Sequence, residues 1–404
     1  MHSRFVAIAV AGILSLPGAA AAAEAQPGPP PPVAKDEEAR KALEADIAKE
    51  LGQGGRGPAG SQAQPAPAPA APGVAGGSSL ARLLLLPDVG AIASFAAAYD
   101  SYHVEARSPR EGPFGAKDTP AFLFQEIELG LQAVVDPYAR ADVFVAFTPE
   151  GADVEEAYLT TLGLPGGLQL KAGTLFSPFG RQNTQHPHVW EFVDAPLARG
   201  RLLATETLSG PGVDVGWLAP LPWFAELRLA AQDTAPTPDD AERLTGVARL
   251  LQYFPLGEGR TLGIGLSAAR RSEARGAFRD LAAVDVYLRA RPPAGRSWVT
   301  LQGELYTRRF RNVDGESGTG GYAQLFFRRG PHLGYGVRYD RAPAAGDAAP
   351  GTEERFGALA TWYPSEFQRI RLQVSYDRAP DGRDGVEALV ALEFGIGAHG
   401  AHPF

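Results

Sequence analysis

The chain contains no cysteine. Disulfide staples, thiolate nucleophiles and thiolate metal sites are therefore excluded. A basic excess is missing too. Lys and Arg number 38 against 46 Asp and Glu, a formal net charge of -8, which argues against a nucleic-acid partner. Long apolar runs are absent beyond the N-terminus. The run Leu83-Leu84-Leu85-Leu86 stops at Pro87, far short of the roughly 20 residues a membrane-spanning helix needs. Only helices and closed barrels satisfy the backbone inside lipid. A chain of this kind that spans a membrane must do so as a barrel.

What is present is a regular punctuation. Short Pro/Gly turns fall at Asp136-Pro137, Leu164-Pro165-Gly166-Gly167, Ala219-Pro220-Leu221-Pro222, residues 255–259, residues 292–296, Gly330-Pro331-His332 and Pro364-Ser365-Glu366. Long polar loops centre on residues 109–119, 149–152, 177–210, 233–242, 272–280, 312–320, 343–352 and 380–385. Taken in turn, these connections join sixteen strands. A transmembrane barrel has this asymmetry, with short turns on one side of the membrane and long loops on the other. The expected fold is an all-β, antiparallel transmembrane β-barrel of about sixteen strands, spanning residues 80–404.

Within the strands every second residue is apolar. Ile127, Leu129, Leu131, Ala133 and Val135 alternate with Glu126, Glu128, Gly130 and Gln132. Val143, Val145 and Phe147 oppose Arg140 and Asp142, and Ile370, Leu372, Val374 and Tyr376 oppose Arg369, Arg371, Gln373 and Ser375. Period two with one apolar face also fits a soluble antiparallel sheet. Length separates the two: about ten residues per strand, tilted, give an apolar band of about 25 Å. Aromatics near strand ends, among them Tyr99, Tyr138, Trp223, Tyr253 and Trp362, match interfacial girdles.

The flanks carry other signals. Residues 1–25 read as a cleaved export signal, with Arg4 before an apolar stretch and small residues allowing cleavage after Ala23 or Ala25. No cysteine follows, so that site cannot be lipidated. Residues 26–79 read as a Pro/Ala/Gly-rich disordered arm. It holds one short helix over 36–51, capped by Asp36 and striped by Ala39, Leu43, Ile47 and Leu51. That stripe implies either a small coiled coil or a solvated helix. The chain ends on Phe404, a C-terminal aromatic of the type that outer-membrane barrel-assembly machinery reads, although the Pro403-containing tail interrupts the alternation before it.

Three segments carry a family resemblance. Glu155-Glu156-Ala157-Tyr158-Leu159, then Leu168-Gln169-Leu170-Lys171-Ala172-Gly173, then Phe176-Ser177-Pro178-Phe179-Gly180 resemble the phosphate-selective porin O/P family. There a strand passes into a long inward loop through a similar Gly-x-x-x-x-Pro-Phe-Gly stretch. The continuation from Asn183 to Asp194 resembles relatives labelled zinc-regulated or TonB-dependent outer-membrane receptors. The resemblance implies a sixteen-stranded, homotrimeric channel in the outer membrane of a Gram-negative bacterium, passing small hydrophilic solutes or ions. TonB-dependent transporters have about 22 strands and a plugged lumen, and no plug-like segment precedes residue 91.

By alternation Arg140, Asp142, Lys171, Arg228, Arg289, Glu304, Arg338, Arg369 and Arg371 face the lumen, as do Glu126, Glu128, Glu226, Asp285 and Glu393. Both signs occur in similar number, so anion selectivity does not follow. The long loop over 177–210 supplies candidate constriction residues, Arg181, Gln182, Asn183, His186, His188, Glu191, Asp194, Arg199 and Arg201, together with Lys171. Two placements stand open: an inward fold that narrows the pore, or an external cap. His186 and His188 are candidate metal ligands, but Pro187 separates them and no third ligand is legible. Ser177 and Ser209 lack a His/Asp pattern, and His103 near Asp100 fits a barrel rim. Neither catalysis nor a resident cofactor is expected. The alternatives to a porin are a metal-uptake receptor and a non-conducting structural barrel.

Overall fold

The computed structural model describes residues 87–397, apart from 102–120, 150, 205–206, 236–240, 274–275, 294, 313–314, 316, 345–350, 381 and 383. The expected signal peptide, the arm with its helix over 36–51, and Phe404 lie outside the described residues.

Sixteen strands follow in chain order: β1 (Asp88–Asp100), β2 (Ala121–Asp136), β3 (Ala139–Thr148), β4 (Gly151–Thr161), β5 (Leu168–Phe176), β6 (Ser209–Leu218), β7 (Phe224–Thr234) and β8 (Arg243–Pro255). The second half runs β9 (Arg260–Ser272), β10 (Phe278–Ala290), β11 (Trp298–Arg311), β12 (Gly318–Arg329), β13 (Leu333–Pro343), β14 (Thr352–Ser365), β15 (Gln368–Arg378) and β16 (Gly385–Gly397). Each strand pairs antiparallel with the next, and β1 closes on β16 with Ala96 opposite Ala391. The result is a closed sixteen-strand antiparallel barrel. Closure leaves no free sheet edge, so every ladder is satisfied without solvent.

The alternation sets the two faces. Along β15, Arg369, Arg371, Gln373, Ser375 and Asp377 are buried, whereas Leu372, Val374 and Tyr376 are exposed. The same holds in β16, where Glu387, Leu389, Ala391 and Glu393 point in and Val386, Val390 and Leu392 point out. This inverts a water-soluble sheet. The apolar side faces outward and the charges face inward, which is stable only if hydrocarbon replaces water outside. Among the described residues no helix is long and apolar enough to cross a membrane.

One connection differs from expectation. The loop centred on 149–152 is two residues, 149–150, because Gly151 and Ala152 already pair with Thr148 and Phe147. Two bulges interrupt the regular ladders nearby. In the β1–β2 ladder Gln125 is the extra residue, and in the β3–β4 ladder it is Glu155, since Phe144 opposes Glu156 and Val145 opposes Val154.

The outward face is testable by a charge placed on it. Leu372 is outward-facing near the middle of β15. Leu372→Arg should lower the folding free energy of lipid-inserted protein by about 2–4 kcal/mol, the cost of an arginine near the bilayer midplane. Urea unfolding in vesicles, with Leu372→Phe as the neutral control, measures it.

Candidate functional site

The connection between β5 and β6 runs from Ser177 to Leu208. Its backbone needs hydrogen-bond partners wherever it goes, and it finds them on inward-facing side chains. Gly180 stands at φ 64, a left-handed conformation that glycine adopts without strain. That turn aims three successive N–H groups at the wall. Gly180 N donates to Ser267 Oγ at 3.0 Å, Arg181 N to Glu304 Oε2 at 2.8 Å, and Gln182 N to Glu304 Oε1 at 2.7 Å. Tyr322 also donates its hydroxyl to Glu304 at 2.7 Å. Consecutive amides converging on one carboxylate form a compact anchor. Asn183 closes the base of the loop, donating to the Ser177 and Leu208 carbonyls and accepting from Leu208 N.

The middle of the loop meets β13 to β16. Arg369 donates to the Trp190 carbonyl at 3.0 Å and also to that of His188, and Arg371 reaches the Trp190 and Phe192 carbonyls at 3.2 Å each. Both arginines pair with Glu393. Val193 N donates to Gln373 Oε1 at 2.8 Å and Leu197 N to Asp340 Oδ1 at 3.1 Å. Asp194 pairs with both Arg338, at 2.7 Å, and Arg355, and accepts from Gln373. Burial alone would raise the Asp194 pKa, but the two guanidiniums win and hold it at about 2.

The loop also buries apolar surface. A short helix, α1 (Leu197–Leu202), follows Pro196, whose extended backbone ends the preceding segment. Leu197, Ala198, Leu202 and Leu203 pack with wall residues Leu281, Ala283, Tyr306 and Ala342. Phe192 packs with Phe326 and Leu359, and Val193 with Ala96, Ala98, Leu389 and Ala391. These wall residues are apolar yet face inward, which a purely water-lined lumen would not favour. Their presence is explained by the loop that covers them.

On the β2–β4 side the loop places two imidazoles. A 3-10 turn over Pro187–Val189 carries His188, and both histidines are buried. His186 Nδ1 lies 2.9 Å from Glu128 Oε2 and 3.1 Å from Glu155 Oε2, while Nε2 lies 2.9 Å from Glu156 Oε2. His188 Nδ1 lies 3.1 Å from the same Glu128 oxygen. Rings of Phe144 and Phe176 flank His186 at 5.0 and 4.5 Å. Burial disfavours the imidazolium, but its hydrogen bonds to the carboxylates of Glu128, Glu155 and Glu156 raise the His186 pKa well above the ordinary value.

A cavity of about 290 Å³ remains between the loop and β4 to β8, lined by Glu156, Tyr158, Lys171, Arg181, His186, Asp214, Glu226, Arg228, Arg249 and Tyr253 among others. Arg228 pairs with Asp214 and with Glu226, and Arg249 with Asp285. Lys171 instead sits over the Tyr158 ring, and Arg181 stacks on Tyr287 and donates to Gln302 and Tyr253. Among the described residues neither of these two cations has a carboxylate partner.

Of the expected lumen-facing set, Asp142, Glu304, Arg338, Arg369 and Arg371 are buried. Arg140 pairs with Asp142, and Arg289 stacks on Trp298. Of the candidate loop residues, Gln182, Asn183, His186, His188, Asp194 and Arg199 are buried in contacts with the wall or within the loop. Arg199 donates to Thr207 and Arg201 pairs with Glu353. Glu191 is half-buried, and burial raises its carboxyl pKa despite Arg369 and Arg371 nearby. Lys171, Arg181 and His186 line the cavity, and of these Lys171 and Arg181 lack a carboxylate partner among the described residues. Sequence reasoning missed Glu155, Glu156, Ser267, Gln302, Asp340, Arg355 and Gln373. Alternation marks Arg355 and Gln373 as inward, but a bulge hides Glu155.

No protein-family model matches the chain. A protein of Aquifex aeolicus (strain VF5), described as uncharacterized, is 31% identical over 330 residues, covering 70% of each chain. The chain belongs to the family of that Aquifex protein. Among solved structures, an anion-selective porin from Comamonas acidovorans is similar with a TM-score of 0.54 at 9% identity, over 77% of this chain and 99% of that one. The trimer form of OmpT, an outer-membrane protein of Vibrio cholerae, matches with a TM-score of 0.50 at 9% identity, over 77% of this chain and all of that one. Likeness at this identity is one of fold: the barrel is porin-like.

Asp194 is the most connected group in the loop, and its loss tests the docking. Asp194→Asn leaves two buried guanidiniums short of a partner and should destabilise the folded barrel by about 3–5 kcal/mol at neutral pH. Because the folded pKa lies below the unfolded value near 3.9, the wild-type advantage is full above about pH 5 and fades as pH falls toward 2. Urea unfolding of both proteins across that range measures the closing gap.

Proposed function

We propose that the protein is an outer-membrane channel of porin type that passes small hydrophilic solutes by diffusion. The observation that carries this reading is the division of the closed sixteen-strand barrel into an apolar exterior and a charged interior. An apolar outer band suits lipid, and inward charges suit a hydrated path. The Ser177–Leu208 loop serves as the constriction and the cavity beside it as the narrow part of the route. No covalent step and no energy input are involved. An outer-membrane location and a trimeric assembly follow from the same reading, supported by the porin-like fold and by the expectation of an export signal over residues 1–25.

The charge balance of the cavity supports a preference for anions. Arg228 meets both Asp214 and Glu226, and Arg249 meets Asp285, whereas Lys171 and Arg181 present their charge to the route without a carboxylate partner among the described residues. Glu156 opposes them but is engaged by His186 and accepts from Phe176 N at 2.9 Å. Rings of fixed charge at a narrowing set ion preference.

Planar-bilayer recordings across a salt gradient test both parts. Steady conductance with a reversal potential of anion-selective sign is the expected result. Replacing Lys171 and Arg181 together by alanine should move the reversal potential toward zero or past it. Silence from folded barrels would contradict the channel, and an unchanged potential in the double variant would contradict the assigned selectivity residues.

A further inference from the structure

The His186–His188 turn and the wall behind it form a cluster that the channel reading does not use. Four carboxylates, Glu126, Glu128, Glu155 and Glu156, surround the two imidazoles. Three of the four are buried, Glu128 to 1% exposure. Among the described residues no lysine or arginine forms an ion pair with any of them; Glu128, Glu155 and Glu156 meet the two histidines instead. Four carboxyl groups thus crowd two imidazoles in one largely buried cluster. Ionising such crowded carboxyls together is costly, and a bound cation would relieve that cost.

The geometry points to where that cation sits. Glu128 Oε2 lies within 3.1 Å of two imidazole nitrogens, and His186 Nδ1 lies within 3.1 Å of two carboxylate oxygens. One proton on Nδ1 cannot serve both oxygens well. Glu128 Oε1 accepts no hydrogen bond among the described residues, despite its burial. Two triads overlap there, Glu128 with His186 and Glu155, and Glu128 with His188 and Glu126, each with its ligand atoms within 4.8 Å of one another. Zinc–nitrogen and zinc–oxygen bonds of about 2.0–2.2 Å put tetrahedral ligands roughly 3.3 Å apart, close to the separations here. Imidazole with carboxylate suits zinc and its neighbours rather than calcium or magnesium.

Backbone irregularity makes the cluster possible. Adjacent residues of a regular strand point to opposite faces, yet Glu155 and Glu156 both reach His186. The β3–β4 bulge, with Glu155 as its extra residue, allows this. Bulges of this kind re-aim side chains next to functional sites. Glu156 and His186 also line the cavity, which gives an ion a route in.

We infer that the Glu128 junction, with His186 and Glu155 on one side and His188 and Glu126 on the other, binds a divalent transition-metal cation of the zinc class and fastens the loop to β2 and β4. This inference does not depend on conductance, because it is read on folded barrels in detergent.

The test uses full-length protein, stripped with a chelator and titrated calorimetrically with zinc chloride. Wild type should bind at least one ion per chain at micromolar affinity or tighter. Glu128→Gln, and separately the pair His186→Asn with His188→Asn, should weaken binding by about 10–100-fold or more. A heat-modifiable gel shift reports that each variant is folded. Cobalt chloride added to unaltered wild type gives a second readout that needs no variant: an intense visible absorption of a low-coordinate site. Zinc uptake by wild type no greater than by the histidine variant, or a cobalt spectrum that stays that of the hydrated ion, overturns the inference.

Discussion

The structure depends on one constraint: a long irregular loop can enter a barrel only if its peptide groups are satisfied there. The wall supplies both kinds of partner. Carboxylates and amides accept from loop N–H groups, as Glu304 does from Arg181 and Gln182, Asp340 from Leu197, and Gln373 from Val193. Arginines donate to loop carbonyls, as Arg338 does to Asp194, and Arg369 and Arg371 to Trp190. This is why the interior carries both signs in similar number. The mixed charge that obscures ion preference in the sequence is mostly consumed in holding the loop, and only the remainder faces the cavity.

The same economy explains the apolar residues that point inward. Leu389, Phe326, Leu359 and Leu281 occupy positions where a hydrated lumen would place polar groups, and each lies under a loop side chain. Burying these patches adds hydrophobic stabilisation to the hydrogen bonds. Wall and loop are thus complementary in two currents of the same sequence, polar pairs at Glu304 and Asp194 and apolar contacts at Phe192, Val193 and α1. The histidine cluster adds a third attachment, on β2 and β4.

Much of the architecture is legible in the sequence. Turn and loop segments mark fifteen connections, and period-two alternation puts Arg369, Arg371, Gln373 and Ser375 on one face of β15, the face that is buried. Residues 149–152 mislead because Pro149, Gly151 and the acidic neighbours resemble a loop while the strands pair almost to their ends. The site is less legible, for physical reasons. His186 meets Glu128 and Glu155, and Arg181 meets Glu304, across long separations in sequence, and no local pattern encodes such pairings. Glu155 escapes even a correct reading of alternation, since a bulge displaces it by one. What the sequence does carry is the start of the loop, where Phe-Gly at Phe179-Gly180 announces the turn that Glu304 then captures.

The central claim is that the loop docks inside the barrel, and the absence of cysteine makes it directly measurable. Val193 shares an inward cluster with Ala391, whereas the adjacent Val390 faces outward. Val193→Cys combined with Ala391→Cys should be bridged by a short bifunctional thiol reagent in folded protein, giving altered mobility after denaturation. Val193→Cys combined with Val390→Cys should not. Bridging in the first pair alone is the predicted result; failure of the first pair in folded barrels, or equal bridging in both, would place the loop elsewhere and contradict the account.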